Sequence, residues 1–182
     1  MDNYETENNL PGIWTTSFTL NDEAAMKQFG AELGLSLVPG DVVALSGPLG
    51  AGKSTLARAT IASFAGVSDA PSPTFGLAHA YSRDPLIAPR TATSSETLYH
   101  FDLYRLDHPN DVWELGLEVA LDGGISLIEW PEKIAHFLPR NSLLARINPV
   151  EEIGAKESAS GGPRTIILRS GVSWAERLPR NK

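Results

Sequence analysis

Cysteine is absent from this chain of 182 residues, so disulfides and thiolate metal sites are excluded, a composition compatible with a reducing cytoplasm. No stretch approaches the roughly eighteen consecutive apolar residues of a membrane span. The opening Met1-Asp2-Asn3-Tyr4-Glu5-Thr6-Glu7 has neither the basic region nor the apolar run of a signal peptide. Basic residues are also few. Fifteen Lys and Arg stand against 22 Asp and Glu, a net charge of −7, whereas a surface that grips nucleic acid by itself shows a basic excess. A soluble, cytoplasmic protein that binds neither membrane nor DNA is expected. His79, His100, His108 and His136 lack metal-ligand spacing and read as surface or core histidines.

What is present is an ordinary apolar fraction of 42% and a length near that of one domain, enough to bury a core without staples. One stretch organises the rest. Gly47-Pro48-Leu49-Gly50-Ala51-Gly52-Lys53-Ser54 follows the apolar run Val42–Leu45 and precedes Thr55–Ala62, which reads as strand, glycine-rich turn and helix. The spacing fits G-x-x-x-x-G-K-[ST], the P-loop pattern. The glycines let the backbone approach a ligand, and the N–H groups of Gly50, Ala51, Gly52, Lys53, Ser54 and Thr55 form a nest for phosphate oxygens at a positive helix end. Lys53 then reaches the β- and γ-phosphates, and the Ser54 hydroxyl becomes a ligand to Mg²⁺. The pattern points to a nucleoside triphosphate with Mg²⁺ but not to what its energy is used for.

Around this stretch, residues 1–14 read as a flexible arm, 15–170 as one domain and 171–182 as a tail. Trp14–Leu20 reads as a strand, and Asn21 as the cap of a helix whose face is Met26, Phe29, Leu33 and Leu37. The P-loop helix is expected to end at Gly66. Phe75–Tyr81 and Leu98–Tyr104 read as paired strands across the polar loop Ser82–Thr97. Asp107–Ala120 carries helix signals, with Leu115, Leu117 and Val119 available for packing. Ile125–Ile128 is a buried-type strand, and Glu132–Phe137 a short helix. Leu143–Val150 and Arg164–Ser170 complete the strands. This interleaving predicts an α/β fold, a three-layer P-loop NTPase-like domain with a mixed central sheet.

A P-loop needs a carboxylate at the end of an apolar strand to hold the Mg²⁺ shell. Glu129 after Ile125–Ile128 and Asp102 after Leu98–Phe101 both fit: either holds Mg²⁺ or its waters while the other orients the attacking water. The plain alternatives are a strand-end pair between Asp102 and Arg105 and a carboxylate cap ahead of Pro131. Thr74, in Pro71-Ser72-Pro73-Thr74-Phe75, is a candidate switch-like contact to Mg²⁺ or the γ-phosphate; alternatively, its hydroxyl satisfies its own loop. Trp130 reads as core or nucleotide-edge packing. The N-K-x-D and D-x-x-G motifs of a GTPase do not occur. A stand-alone small-molecule kinase stays open, with Arg83 and Arg90 as lid arginines.

Taken in order, Leu45–Thr55, Ser72-Pro73-Thr74-Phe75, His100-Phe101-Asp102-Leu103-Tyr104-Arg105-Leu106, Leu115-Gly116-Leu117 and Leu127-Ile128-Glu129-Trp130-Pro131-Glu132 resemble the TsaE (YjeE-like) family over roughly residues 18–150. That family is the P-loop ATPase subunit of the bacterial machinery for threonylcarbamoyladenosine at position 37 of tRNA. The resemblance implies ATP and Mg²⁺ at the P-loop, with Ser54 and Glu129 on the metal side and Asp102 tied to hydrolysis. It implies that the segment holding Asn21 and Glu23 approaches the nucleotide. It also implies two partners, a threonylcarbamoyl transferase subunit and its inactive-homologue dimerisation partner, with tRNA engaged only indirectly. Pro48 stands where the family commonly has Asp, Ser54 where Thr is commoner, and the loop 82–97 looks longer than usual.

Overall fold

Strand β2 (Val42–Ser46) explains the layering, because its side chains are buried on both faces. Such a strand must lie inside a sheet covered on both sides. In the computed structural model, which describes residues 13–71, 73, 77–86, 96–150 and 162–178, it does. The other strands are β1 (Ile13–Leu20), β3 (Ala78–Ser82), β4 (Thr97–Asp102), β5 (Ile125–Glu129), β6 (Leu143–Pro149) and β7 (Arg164–Gly171). They form one sheet in the order β1-β7-β6-β2-β5-β4-β3. The centre, β6-β2-β5-β4, is parallel, and both edges are antiparallel. The mixed sheet expected from sequence is therefore present, and the parallel part carries the P-loop.

Val43, Leu45, Ile125 and Leu127 face one core, built with α1 (Glu23–Ser36) and α2 (Lys53–Ala65). Val42, Phe101 and Ile128 face the other, closed by the 3-10 turns at Pro109–Trp113 and Pro131–Phe137 and by α3 (Leu117–Leu121). Helices α1 and α2 cross at close range. A Cβ on Gly34 would lie 2.3 Å from the carbonyl oxygen of Thr60, so this crossing admits no side chain there. The closeness matters for the site, since α2 begins at Lys53 and α1 lies along it. No helix among the described residues is long and apolar enough to cross a membrane.

Three local readings are corrected. Asp22, not Asn21, caps α1; its Oδ1 accepts from the Ala25 N–H at 2.8 Å, because its carboxylate is the one placed three residues before that amide. Residues 107–120 do not form one helix. Gly116 at φ +87° turns the chain between the 3-10 turn and α3, which lets Val112 and Leu117 both be buried and leaves Val119 60% exposed. Residues 132–137 form 3-10 structure interrupted at Ile134 (φ −132°), whose side chain is buried.

Residues 171–178, the described part of the expected tail, are packed on the domain. Trp174 and Leu178 belong to the main core. Arg177 makes two bonds to the Asp41 carboxylate (2.7 and 2.8 Å), donates to the Ser36 carbonyl and lies over the Trp174 ring. Asp41 is the residue that leads into β2, so the segment is tied to the root of the P-loop strand. Breaking a well-shielded pair by removing one partner strands the other charge. Arg177→Ala is expected to lower unfolding free energy by about 2 kcal/mol, a figure reduced for the partial exposure of Arg177. Urea denaturation followed by circular dichroism would measure it, and an unchanged midpoint would show that the segment is dispensable.

Candidate functional site

The loop between β2 and α2 has the conformation that its glycines permit. Gly47, Gly50 and Gly52 have φ of +139°, +77° and +107°. Gly47 has a second reason to lack a side chain: a Cβ there would sit 2.2 Å from the carbonyl oxygen of Ile147 on β6. The loop root is thus pressed against the neighbouring strand. Ala51 is fully buried and its N–H bonds to the Pro48 carbonyl, while Gly52 caps α2, so Lys53, Ser54 and Thr55 occupy the first helical turn. Their N–H groups are among those a helix leaves without internal partners.

Lys53 is 5% exposed and folds back over the loop. Its Nζ donates to the carbonyls of Gly47 (2.7 Å) and Pro48 (2.9 Å) and lies 3.6 Å from the centre of the Trp130 ring. Burial lowers its pKa below the ordinary lysine value, against the opposing pull of Glu129, Glu132 and Asp102 in that order. Trp130 is placed there by a left-handed backbone conformation (φ 60°), unusual for a side chain of its size, and its ring also packs on Tyr104 at 5.0 Å. Backbone conformations of this kind concentrate at functional sites.

Glu129 ends β5 with 1% exposure. One carboxylate oxygen accepts from the Ser54 hydroxyl at 2.8 Å, and the other lies 3.0 Å from Nε2 of His100. Asp102 is opposite Glu129 in the β4–β5 register and accepts from the Tyr104 N–H at 3.2 Å. The structure therefore brings Lys53, Ser54, Asp102 and Glu129 to one end of the parallel strands, where ligands of open α/β sheets bind.

The oxygens of Ser54 and Glu129 suit Mg²⁺. Neighbouring oxygens on an octahedral Mg²⁺ with bonds of about 2.0–2.1 Å lie about 2.9 Å apart, close to the Ser54–Glu129 separation. Among the described residues no cluster of three or more His, Cys, Asp or Glu is poised to hold a metal. Two protein oxygens fit an ion that takes most of its ligands from phosphate and water.

Asn21 and Glu23 lie at the exposed start of α1, where Glu23 pairs with Lys27 at 2.7 Å. The link from this segment to the loop is Met26, whose methyl would lie 3.2 Å from a Cβ on Gly52. Thr74 and Arg90 lie outside the described residues. Arg83 is buried: its guanidinium donates to Glu96 and to the Leu37 carbonyl and covers the Phe64 ring, so it anchors the base of the loop rather than reaching over the nest.

Two residues were missed from sequence. Arg164, at the start of β7 and 9% exposed, donates to the Ala51 carbonyl at 3.1 Å and braces the nest from behind. No local pattern announces a contact across 113 residues of chain. His100 was read as a plain core or surface residue, yet strand alternation already places it on the same face as Asp102.

Comparison with known proteins shows the family and the fold. The family model "Threonylcarbamoyl adenosine biosynthesis protein TsaE" matches residues 20–158. The chain belongs to the TsaE family. It is 44% identical over 120 residues to the tRNA threonylcarbamoyladenosine biosynthesis protein TsaE of Rickettsia felis, covering 65% of this chain and 64% of that protein. The TsaE protein of Haemophilus influenzae is 35% identical over 133 residues, covering 70% and 78%. The chain thus spans just under two thirds of the Rickettsia felis relative. The crystal structure of Bacillus subtilis YdiB has the same fold, with a TM-score of 0.63, 21% identity and 90% of each chain covered. The family match begins with β1 ending and α1 starting, and it takes in the P-loop, Asp102 and Glu129 of this TsaE-family chain.

Two outcomes are expected of the cradle itself. Gly47→Ala should leave a folded protein that binds inorganic tripolyphosphate at least about tenfold more weakly, by calorimetry, because the new methyl must push the loop off β6. The depressed Lys53 value disfavours its charged form, and a bound polyanion restores that form. Binding therefore takes up a proton near that value. Tripolyphosphate affinity should fall as pH rises through the lowered pKa, and Lys53→Ala should flatten the profile.

Proposed function

We propose that the chain is an ATP-binding and hydrolysing subunit required for threonylcarbamoyladenosine modification at position 37 of tRNA. It acts in the cytoplasm with a threonylcarbamoyl transferase subunit and that subunit's inactive-homologue partner. Membership of the TsaE family supports the pathway, and the contact of Ser54 with Glu129 at the mouth of the P-loop supports the chemistry. In this reading the nest from Gly50 to Thr55 takes the phosphates of ATP, and Lys53 exchanges the Gly47 and Pro48 carbonyls for phosphate oxygens. Ser54 and Glu129 would hold Mg²⁺, which would neutralise charge on the β- and γ-phosphates. Asp102, across the register from Glu129, orients the attacking water. Thr74, outside the described residues, is the candidate switch-like contact to Mg²⁺ or the γ-phosphate, and the segment of Asn21 and Glu23 borders the nucleotide. The net charge of −7 fits a subunit that leaves the grip on tRNA to its partners and touches RNA only indirectly.

The isolated protein is expected to hydrolyse ATP feebly and to be stimulated when both partners are added. Lys53→Ala should abolish binding or turnover. Glu129→Ala should lower Mg²⁺-dependent kcat by about a hundredfold or more, the scale on which removing one charge-stabilising group acts. A coupled ADP-release assay with and without partners measures these effects. Vigorous turnover alone that partners leave unchanged would count against the reading. A small-molecule kinase would instead release ADP only when an acceptor metabolite is present; of its two candidate lid arginines, Arg83 is already engaged at the loop base.

A further inference from the structure

We infer that His100 is a positioning residue for Glu129: its ring fixes one carboxylate oxygen so that the other is presented to the Ser54 hydroxyl and the metal side of the P-loop. The inference rests on the reading of Ser54 and Glu129 as facing Mg²⁺. His100 is fully buried, and it lies on β4 opposite Leu127, so its ring shares a sheet face with Glu129 two residues further along β5. Its Nε2 is 3.0 Å from Oε1 of Glu129, while Oε2 accepts from Ser54 at 2.8 Å. An ionised carboxylate only accepts, so Nε2–H is the donor.

The second ring nitrogen has no hydrogen-bond partner among the described residues, although it too is buried. A histidine kept solely for packing would be replaceable by an apolar side chain that leaves no polar atom without a partner. Keeping the imidazole here, with Nδ1 unsatisfied, is explained by the single bond that its other nitrogen makes. The alternative partner for Oε1 is the Lys53 ammonium, on which Glu129 acts electrostatically. Lys53 Nζ is held to the loop carbonyls and feels Glu129 more strongly than any other carboxylate. Without His100, the carboxylate is free to turn towards the ammonium, which would draw Glu129 off Ser54 and Lys53 out of the nest. His100 thus keeps the carboxylate and the lysine on separate tasks. Partners of this kind, placed behind a ligating group, typically change metal affinity by about 10- to 100-fold when lost.

The test separates a bond from packing by reach. Glutamine carries an amide where Nε2 stands, asparagine only where Nδ1 stands, and leucine fills space without a donor. For the full chain and its His100→Gln, His100→Asn and His100→Leu variants, ADP affinity is measured by calorimetry with Mg²⁺ and with EDTA, beside the ligand-free melting temperature. The unmodified protein and His100→Gln should gain equally from Mg²⁺. His100→Asn and His100→Leu should lose about tenfold of that gain, with affinity in EDTA changed much less. The inference is overturned if Asn and Leu variants retain the full Mg²⁺ gain, or if Gln loses it with them in step with the melting temperature. It also falls if neither the Asn nor the Leu variant folds, since His100 is then a packing residue. A lack of Mg²⁺ gain in the unmodified protein would overturn the metal-side reading itself, a result distinct from failure of His100 alone.

Discussion

A carboxylate buried to 1% exposure is the constraint on which the site depends. Glu129 has left water, and an ionised carboxylate without partners in a protein interior is untenable. Its partners come from two different elements: Ser54 and the field of Lys53 from the first turn of α2, and His100 from β4. Each contact therefore also sets a distance between elements. Helix α2 must start where Ser54 reaches β5, and β4 must pair with β5 in the register that brings His100 within 3.0 Å. The site and the parallel centre of the sheet are specified by the same bonds.

The surroundings serve that arrangement by close approach. Gly47 against the Ile147 carbonyl presses the loop root onto β6, and Gly34 against the Thr60 carbonyl presses α1 onto α2. Arg164 braces Ala51 from β7, and Arg177 ties residues 171–178 to Asp41 beneath β2. The loop is thereby supported from both antiparallel and parallel neighbours, and its open side is left to Leu49, 76% exposed, and to the exposed Tyr104 beside Trp130. A loop with an exposed rim suits anion binding, because the N–H groups of Lys53, Ser54 and Thr55 stand at the start of α2 without helical partners.

The readable and the unreadable parts differ by the range of the physics involved. The P-loop is contiguous, and its glycine spacing, preceding apolar strand and following helix are all local signals, so Gly47–Ser54 was legible in full. Glu129 was legible because a strand buried on both faces, Ile125–Ile128, announces itself by composition, and the carboxylate directly follows it. The helix expected over 107–120 is broken at Gly116, whose left-handed turn lets Val112 and Leu117 be buried together. Polar residues around Trp174 and Leu178 hide two core positions in the sequence.

By itself, then, the amino-acid sequence determined a loop of P-loop spacing between a buried strand and a helix, two strand-end carboxylates and the mixed α/β class, since each follows from spacing and alternation over a few residues. The tertiary structure alone decided which carboxylate oxygen meets Ser54 and that a histidine stands behind it. It also decided that Trp130 lies over Lys53, and that Arg164 and Arg177 reach across the chain to hold the loop and its strand. Those are contacts between residues far apart in sequence. They are set by strand order, register and burial, and no local pattern carries that information.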